Sequence, residues 1–197
     1  MPFFGKTYLN LTGWKLVGGA PKEVFEQCVM ICAPHTSNWD FPTTVAIMNS
    51  LNVKAKYAIK KEWMRFPFNI VLGSMGCIPI NRKPAQPGEE KQSTVGAIAN
   101  LFKEHDKLCL MIAAEGTRSL RTEWKTGFYY IALQAKVPIC LGYLDYPTKT
   151  GGINKVVYPT GDIEADMKEI MEFFQDKTGK NPEQFSIDQR YIPDNKG

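Results

Sequence analysis

Residues 29–40 read VMICAPHTSNWD, five apolar positions followed by a proline and a polar turn. A short, continuous apolar run is typical of a strand that is buried on both faces of a sheet. Ser37, Asn38 or Asp40 can cap a helix that begins directly after the turn. The stretch therefore predicts a strand, a turn and a helix, the combination from which α/β domains are built.

The same alternation continues along the chain. Two further apolar runs, Leu108–Ala113 and Pro138–Leu144, predict buried strands. Apolar residues at helical spacing predict helices within Phe41–Leu51, Val95–Phe102, Thr126–Lys136 and Ile163–Phe174, the last capped by Asp162. Strands separated by helices predict one α/β domain over residues 1–197, with a mixed, mostly parallel sheet flanked by helices.

Three regions of the chain lie outside this alternation of strands and helices. Residues 1–26 form an aromatic N-terminal segment, and residues 178–197 form a polar tail that we expect to fray. Glycines and prolines in residues 147–152 predict a loop.

Composition and charge exclude several classes of protein. The net charge of +4 is spread along the chain, which does not favour nucleic-acid binding but suits anionic substrates or an anionic membrane surface. No apolar run is long enough to predict a transmembrane helix, and no signal peptide is recognisable. Five cysteines without a Cys-x-x-Cys pair predict buried thiols in a reducing, cytoplasmic setting, and the two histidines predict no metal site.

His35 and Asp40 are the first candidates for catalysis. A spacing of five places two side chains about 140° apart on a continuous helix, so these two meet only if the chain turns between them. A carboxylate bonded to one imidazole nitrogen leaves the other nitrogen as a general base. Taken alone, the segment also fits a loop histidine and an ordinary capping aspartate.

Two further segments carry arginines after apolar strands. Glu115–Arg118 follows the run Leu108–Ala113, and Gly76–Arg82 is a strand that ends in an arginine. Gly116 permits close backbone approach, and a guanidinium group suits the geometry of phosphate. Taken alone, these segments also fit a capped turn with a surface arginine and a solvated strand end.

In this order, the three segments resemble the motifs of the glycerolipid acyltransferase family. That family carries a His-x4-Asp motif, a Gly-x-x-x-Ile-x-Arg-like strand and a Glu-Gly-Thr-Arg motif, and the resemblance covers Gln27–Tyr146. Asn81 stands where the family often has aspartate, and Pro79 where an aromatic residue is common. These two departures fall on positions that shape the acceptor pocket.

The resemblance implies an O-acyltransferase that moves a fatty acyl group from acyl-CoA or acyl carrier protein to a lysophospholipid hydroxyl. It implies 1-acylglycerol-3-phosphate as the acceptor, His35 as the general base and Asp40 as the group that orients it. The implied substrate-binding residues are Lys60, Arg82, Glu115, Gly116, Thr117 and Arg118. No metal or bound organic cofactor is implied, because the thioester is a co-substrate. An acyl-thioester hydrolase, an acyltransferase for a non-phosphate lysolipid and a non-catalytic lipid-binding module remain as alternatives.

Two aromatic stretches offer contact with a membrane surface. Phe3–Val17 and Trp63–Met75 combine Trp and Phe with nearby lysine, a composition that suits the headgroup boundary. The sequence therefore predicts a peripheral protein on the inner face of the membrane, although packing inside the domain would explain either stretch as well.

Overall fold

Seven strands form one sheet in the part of the chain that the structure describes. The structure, a computed structural model, describes residues 2–60, 64–74, 76–80 and 94–192. The strands are β1 (Lys15–Leu16), β2 (Gln27–Ala33), β3 (Ala55–Lys60), β4 (Cys77–Ile80), β5 (Leu108–Ile112), β6 (Ile139–Asp145) and β7 (Thr150–Val157). Their order is β1-β7-β6-β2-β5-β3-β4, and all neighbours are parallel except β6 and β7. The mixed, mostly parallel sheet predicted from the sequence is confirmed.

Helices cover both faces of this sheet. They are α1 (Pro2–Thr12), α2 (Asp40–Ser50), α3 (Phe68–Ser74), α4 (Thr94–Glu104), α5 (Gly127–Ala135) and α6 (Ile163–Phe174), with 3₁₀ turns at Lys22–Glu26, Pro182–Gln184 and Gln189–Tyr191. Helices α1 and α2 pack on one face, and α4, α5 and α6 on the other. Asp162 caps α6 as predicted, since its side chain accepts hydrogen bonds from two backbone amides of the first turn.

The apolar run of β2 is explained by its central position between β6 and β5. Val29 and Ile31 face the cluster under α4, α5 and α6, whereas Cys28 and Met30 face the cluster under α1 and α2. All four side chains are fully buried. Because side chains alternate between the two faces of a strand, a strand covered on both faces is apolar at every position.

The loop predicted at residues 147–152 ends earlier than expected, because β7 already begins at Thr150. Gly151 and Gly152 belong to this strand and allow close packing of neighbouring elements. A Cβ atom would lie 2.7 Å from Cδ1 of Ile47 at the first glycine and 2.0 Å from the carbonyl oxygen of Val17 at the second. These glycines are therefore required for packing within the sheet.

The C-terminal segment packs on the domain as far as the structure describes it, so the expectation of a frayed tail is wrong for residues 178–192. Asp188 and Tyr191 are buried. The Asp188 carboxylate accepts hydrogen bonds from the backbone amide of Trp124 at 2.9 Å and from the guanidinium group of Arg190. A buried carboxylate with charged and backbone partners holds the segment in place.

The two aromatic stretches differ in their packing. In α1, Leu9 is buried against α2, while Phe4 and Leu11 are exposed. In the second stretch, Phe66 and Phe68 are both exposed. Within the described residues, no helix has the length and apolar character needed to cross a membrane.

Candidate active site

The sequence-predicted site residues follow strands whose carboxyl ends lie at one edge of the sheet. His35 comes two residues after β2, and Glu115 three residues after β5. Lys60 ends β3 and is in register with Ile80 at the end of β4, so its backbone lies at the same edge. Arg82 lies outside the described residues. Open α/β sheets bind ligands at this edge.

The turn between β2 and α2 brings His35 and Asp40 together. Nδ1 of the imidazole lies 3.3 Å from Oδ2 of Asp40, whose side chain is buried. The same oxygen accepts the backbone amides of Thr36 at 2.9 Å and Ser37 at 2.8 Å. Asp40 therefore caps the turn that carries His35, and its carboxylate lies beside Nδ1 of the imidazole rather than Nε2.

Tyr146 completes the bonding of Asp40, and sequence reasoning missed this residue. Its hydroxyl group donates a hydrogen bond of 2.7 Å to Oδ1 of Asp40. Burial and the adjacent carboxylate raise the pKa of Tyr146 well above its ordinary value, which keeps the hydroxyl group protonated as a donor. The two residues are 106 positions apart, and only the parallel pairing of β6 with β2 brings them to one edge.

The Glu115 side chain forms a hydrogen bond with the backbone of His35. Its side chain is 2% exposed, and Oε1 accepts the amide of His35 at 2.7 Å. Burial raises the pKa of Glu115 to about 8, with a smaller contribution in the same direction from the charge of Asp40, whereas the hydrogen bond from His35 lowers it. The carboxyl group is therefore placed to position the histidine loop.

The Gly116–Arg118 turn places one guanidinium nitrogen in the site without a hydrogen-bond partner among the described residues. Gly116 has a φ of +69°. Its backbone amide donates a hydrogen bond of 3.1 Å to the carbonyl oxygen of Ala113, so this N–H group is not available to bind a ligand. Thr117 lines the cavity beside Arg118. Within the described residues, Nε of Arg118 is buried and has no hydrogen-bond partner. A buried donor without a partner is costly, which points to a ligand that supplies an acceptor.

Two cavities meet at His35 and Arg118. The smaller, about 150 Å³, is mainly apolar and extends under α2 between side chains that include Phe41, Tyr57 and Met111. The larger cavity, about 530 Å³, is lined by polar, apolar and cationic side chains. The cationic side chains among the described residues are Arg118, Arg121 and Lys125. His35 thus stands between a space suited to an acyl chain and a space suited to an anionic group.

Comparison with known proteins identifies the family and supports the fold. Residues 20–141 match the family model described as Acyltransferase. The fold is similar to the crystal structure of the 1-acyl-sn-glycerophosphate (LPA) acyltransferase PlsC from Thermotoga maritima, with a TM-score of 0.59 and 15% sequence identity over 87% of this chain and 73% of that chain. No curated protein matches the chain. The His35–Asp40 pair and Arg118 lie inside the matched residues, whereas Tyr146 lies beyond them.

Proposed function

Because this chain belongs to the acyltransferase family, we propose that it transfers an acyl group from acyl-CoA or acyl carrier protein to a lysophospholipid hydroxyl. The proposed acceptor is of the 1-acylglycerol-3-phosphate type. One observation carries the proposal: His35 lies at the junction of an apolar cavity and a cavity whose described lining includes three cationic side chains. The first suits an acyl chain, and the second suits the phosphate of the acceptor.

In the proposed reaction, His35 acts as the general base and Asp40 orients it. Nε2 takes the proton from the acceptor hydroxyl as the oxygen attacks the thioester carbonyl carbon. The tetrahedral intermediate collapses with cleavage of the C–S bond, and the imidazolium returns the proton to the leaving thiolate. The acyl group passes directly to the acceptor, so no acyl-enzyme intermediate is required.

Arg118 is the proposed anchor for the acceptor phosphate. Its buried and unpartnered Nε atom would donate to a phosphate oxygen, a charge-assisted bond that a guanidinium group makes in bidentate geometry. We propose that Lys60 and Arg82 add further positive charge, because Lys60 ends β3 at this edge and Arg82 comes two positions after the last residue of β4 in the sequence.

Peripheral association with the inner face of a membrane would bring the acceptor to this site. Phe66 and Phe68 are 81% and 66% exposed beside the exposed Arg65. Leu72, one helical turn further along α3, lines the larger cavity. An anionic bilayer attracts the chain's net charge of +4, and aromatic rings at the headgroup level would hold the cavity near the lipid.

The test compares two acceptors that differ only in the phosphate, 1-acylglycerol-3-phosphate and 1-acylglycerol, with each thioester donor. We expect the phosphate-bearing acceptor to be preferred. His35→Ala should lower turnover by about 10²–10⁴-fold, the usual contribution of a positioned general base. His105→Ala is the matched control, since the chain's other histidine is exposed.

In the same assay, Arg118→Ala should raise the acceptor KM by about 10- to 150-fold, leave the donor KM unchanged and shrink the preference for phosphate. Full preference in this variant would contradict the role of Arg118. A folded His35→Ala protein with normal turnover would contradict the mechanism. Free fatty acid formed at the same rate without any acceptor would identify a thioester hydrolase instead.

A further inference from the structure

Residues near the C-terminus contact the loop that carries His35. Nδ2 of Asn181 donates to the carbonyl oxygen of Thr36 at 2.8 Å, and its backbone amide donates to Oγ1 of Thr36 at 3.2 Å. Thr36 directly follows His35 and is itself 2% exposed. The C-terminal segment therefore holds the residue next to the proposed general base.

Gln184 extends this contact to the second loop of the site. Its side-chain amide faces two carbonyl oxygens, those of Arg118 and Thr36, so the atom directed at them must be the nitrogen. In that orientation it donates to Arg118 at 2.8 Å and to Thr36 at 3.1 Å. One side chain thus joins the backbone beside His35 to the backbone of the proposed phosphate anchor.

The segment around Gln184 is fixed on both sides. Before it, a Cβ atom at Gly179 would lie 2.7 Å from Oγ1 of Thr36, and the carbonyl oxygen of Thr178 accepts the amide of Tyr146 at 3.0 Å. After it, Asp188 binds the backbone of Trp124. These anchors hold Gln184 in place between the two loops.

We infer that Gln184 is a positioning residue, whose bridge between the Thr36 and Arg118 carbonyls sets the spacing between His35 and Arg118. The inference rests on the proposed function, in which the phosphate is held at Arg118 and the hydroxyl proton is taken by His35. That spacing decides whether the anchored acceptor presents its hydroxyl group to Nε2. A displacement of about 1 Å can cost about 10²-fold in rate. Gln184 lies beyond residues 20–141, so the family match does not include it.

The test uses Gln184→Met, which keeps the length of the side chain and removes its donors. Gln189→Met is the matched control, since Gln189 lies in the same segment and is exposed. Among the described residues, its side chain bonds only to Ser186 and Ile187. We expect Gln184→Met to lower kcat with 1-acylglycerol-3-phosphate by about 10- to 100-fold with an unchanged donor KM. The control should keep the wild-type kcat. Thermal melts verify folding, and Gln184→Ala replaces the methionine variant if that variant is unfolded at the assay temperature.

A double-mutant cycle with Arg118→Ala separates positioning from general support of the fold. Without the anchor the spacing no longer matters, so in this background Gln184→Met should change kcat by less than about twofold. Wild-type kcat in Gln184→Met, or an equal loss in both backgrounds, would overturn the inference. Failure of the proposed function has a different signature, namely normal turnover in His35→Ala.

Discussion

The carboxyl group of Glu115 is buried, and burial disfavours its negatively charged form. It is buried behind the loop of His35 and lies close to the second carboxylate of the site, Asp40. With a pKa raised to about 8, the group is protonated at neutral pH. The neutral carboxyl group still accepts the amide of His35, so its support of the loop does not require ionisation.

This protonation predicts a pH-dependent stability. Between the ordinary pKa of 4.5 and about 8, the folded protein holds a proton on Glu115 that the unfolded chain has released. Rising pH in this window therefore lowers the free energy of unfolding, by at most about 1.4 kcal/mol per pH unit for one proton, and the loss levels off above pH 8.

Urea unfolding at several pH values between 5 and 9 checks this expectation. Glu115→Gln keeps an acceptor for His35 and removes the titrating group, so its unfolding free energy should fall less with pH than that of the wild type. Glu23→Gln, at an exposed carboxyl group, should follow the wild type. A constant difference between wild type and Glu115→Gln at all pH values would contradict the assignment.

Only part of this residue-level arrangement is visible in the sequence. The local turn spacing predicts that His35 can meet Asp40, and the structure brings the two together. Tyr146 and Gln184 could not be predicted, because they reach the site through strand pairing and the packing of the last segment. Neither carries a local pattern that distinguishes it from an ordinary surface residue.

Among the elements, those whose burial leaves a regular apolar pattern in the sequence were the easiest to predict. The continuous apolar run of β2 and the helical spacing of α6 indicated both correctly. Strand β3 escaped prediction because Lys56, which is exposed, interrupts its apolar residues. Strand β7 escaped because Gly151 and Gly152 resemble a turn, although packing requires them. The structure of both strands depends on neighbours that are distant in sequence, which a local pattern does not show.

We expect helix α3 and the residues before it to contact the membrane. Phe68→Ser, or the pair Phe66→Ser and Phe68→Ser, should reduce binding to vesicles that contain anionic lipid, because each ring is more than 60% exposed. Flotation measures the bound fraction, which should also fall as salt is added.

The matched control for α3 is Tyr158→Ser. Tyr158 is 66% exposed but follows β7, whose end pairs with the start of β6 at the opposite edge of the sheet. The control should bind vesicles like the wild type. Equal binding by all variants would show that α3 does not contact the membrane.

On the scale of the whole molecule, the fold assembles its site from distant parts of the chain. Parallel strands deliver His35 and Glu115 to one edge, β6 adds Tyr146, and the C-terminal segment joins the loops through Gln184. Occupation of this site should therefore stabilise the folded chain as a unit. A ligand that binds only the folded state raises the melting temperature by an amount that grows with the ratio of its concentration to its Kd.

This linkage gives a test of phosphate recognition that needs no turnover. At 100 times its Kd, 1-hexanoylglycerol-3-phosphate should add about 2.7 kcal/mol of stability, which corresponds to a rise in Tm of about 5–10 °C for a chain of this size. The short acyl chain keeps the lipid monomeric, so detergent effects do not enter. 1-Hexanoylglycerol at the same concentration should shift Tm much less, since it has no anionic phosphate oxygens to bind Arg118. In Arg118→Ala, the stabilisation by 1-hexanoylglycerol-3-phosphate should fall to about 0.3–1.4 kcal/mol, because a loss of about 10- to 150-fold in affinity leaves the ligand at only about 0.7–10 times its Kd. Its shift should therefore approach the shift given by 1-hexanoylglycerol. Calorimetry on the wild type fixes the Kd beforehand, and inorganic phosphate alone serves as the ionic control. Equal shifts by both lipids in the wild type would show that the larger cavity does not select for phosphate.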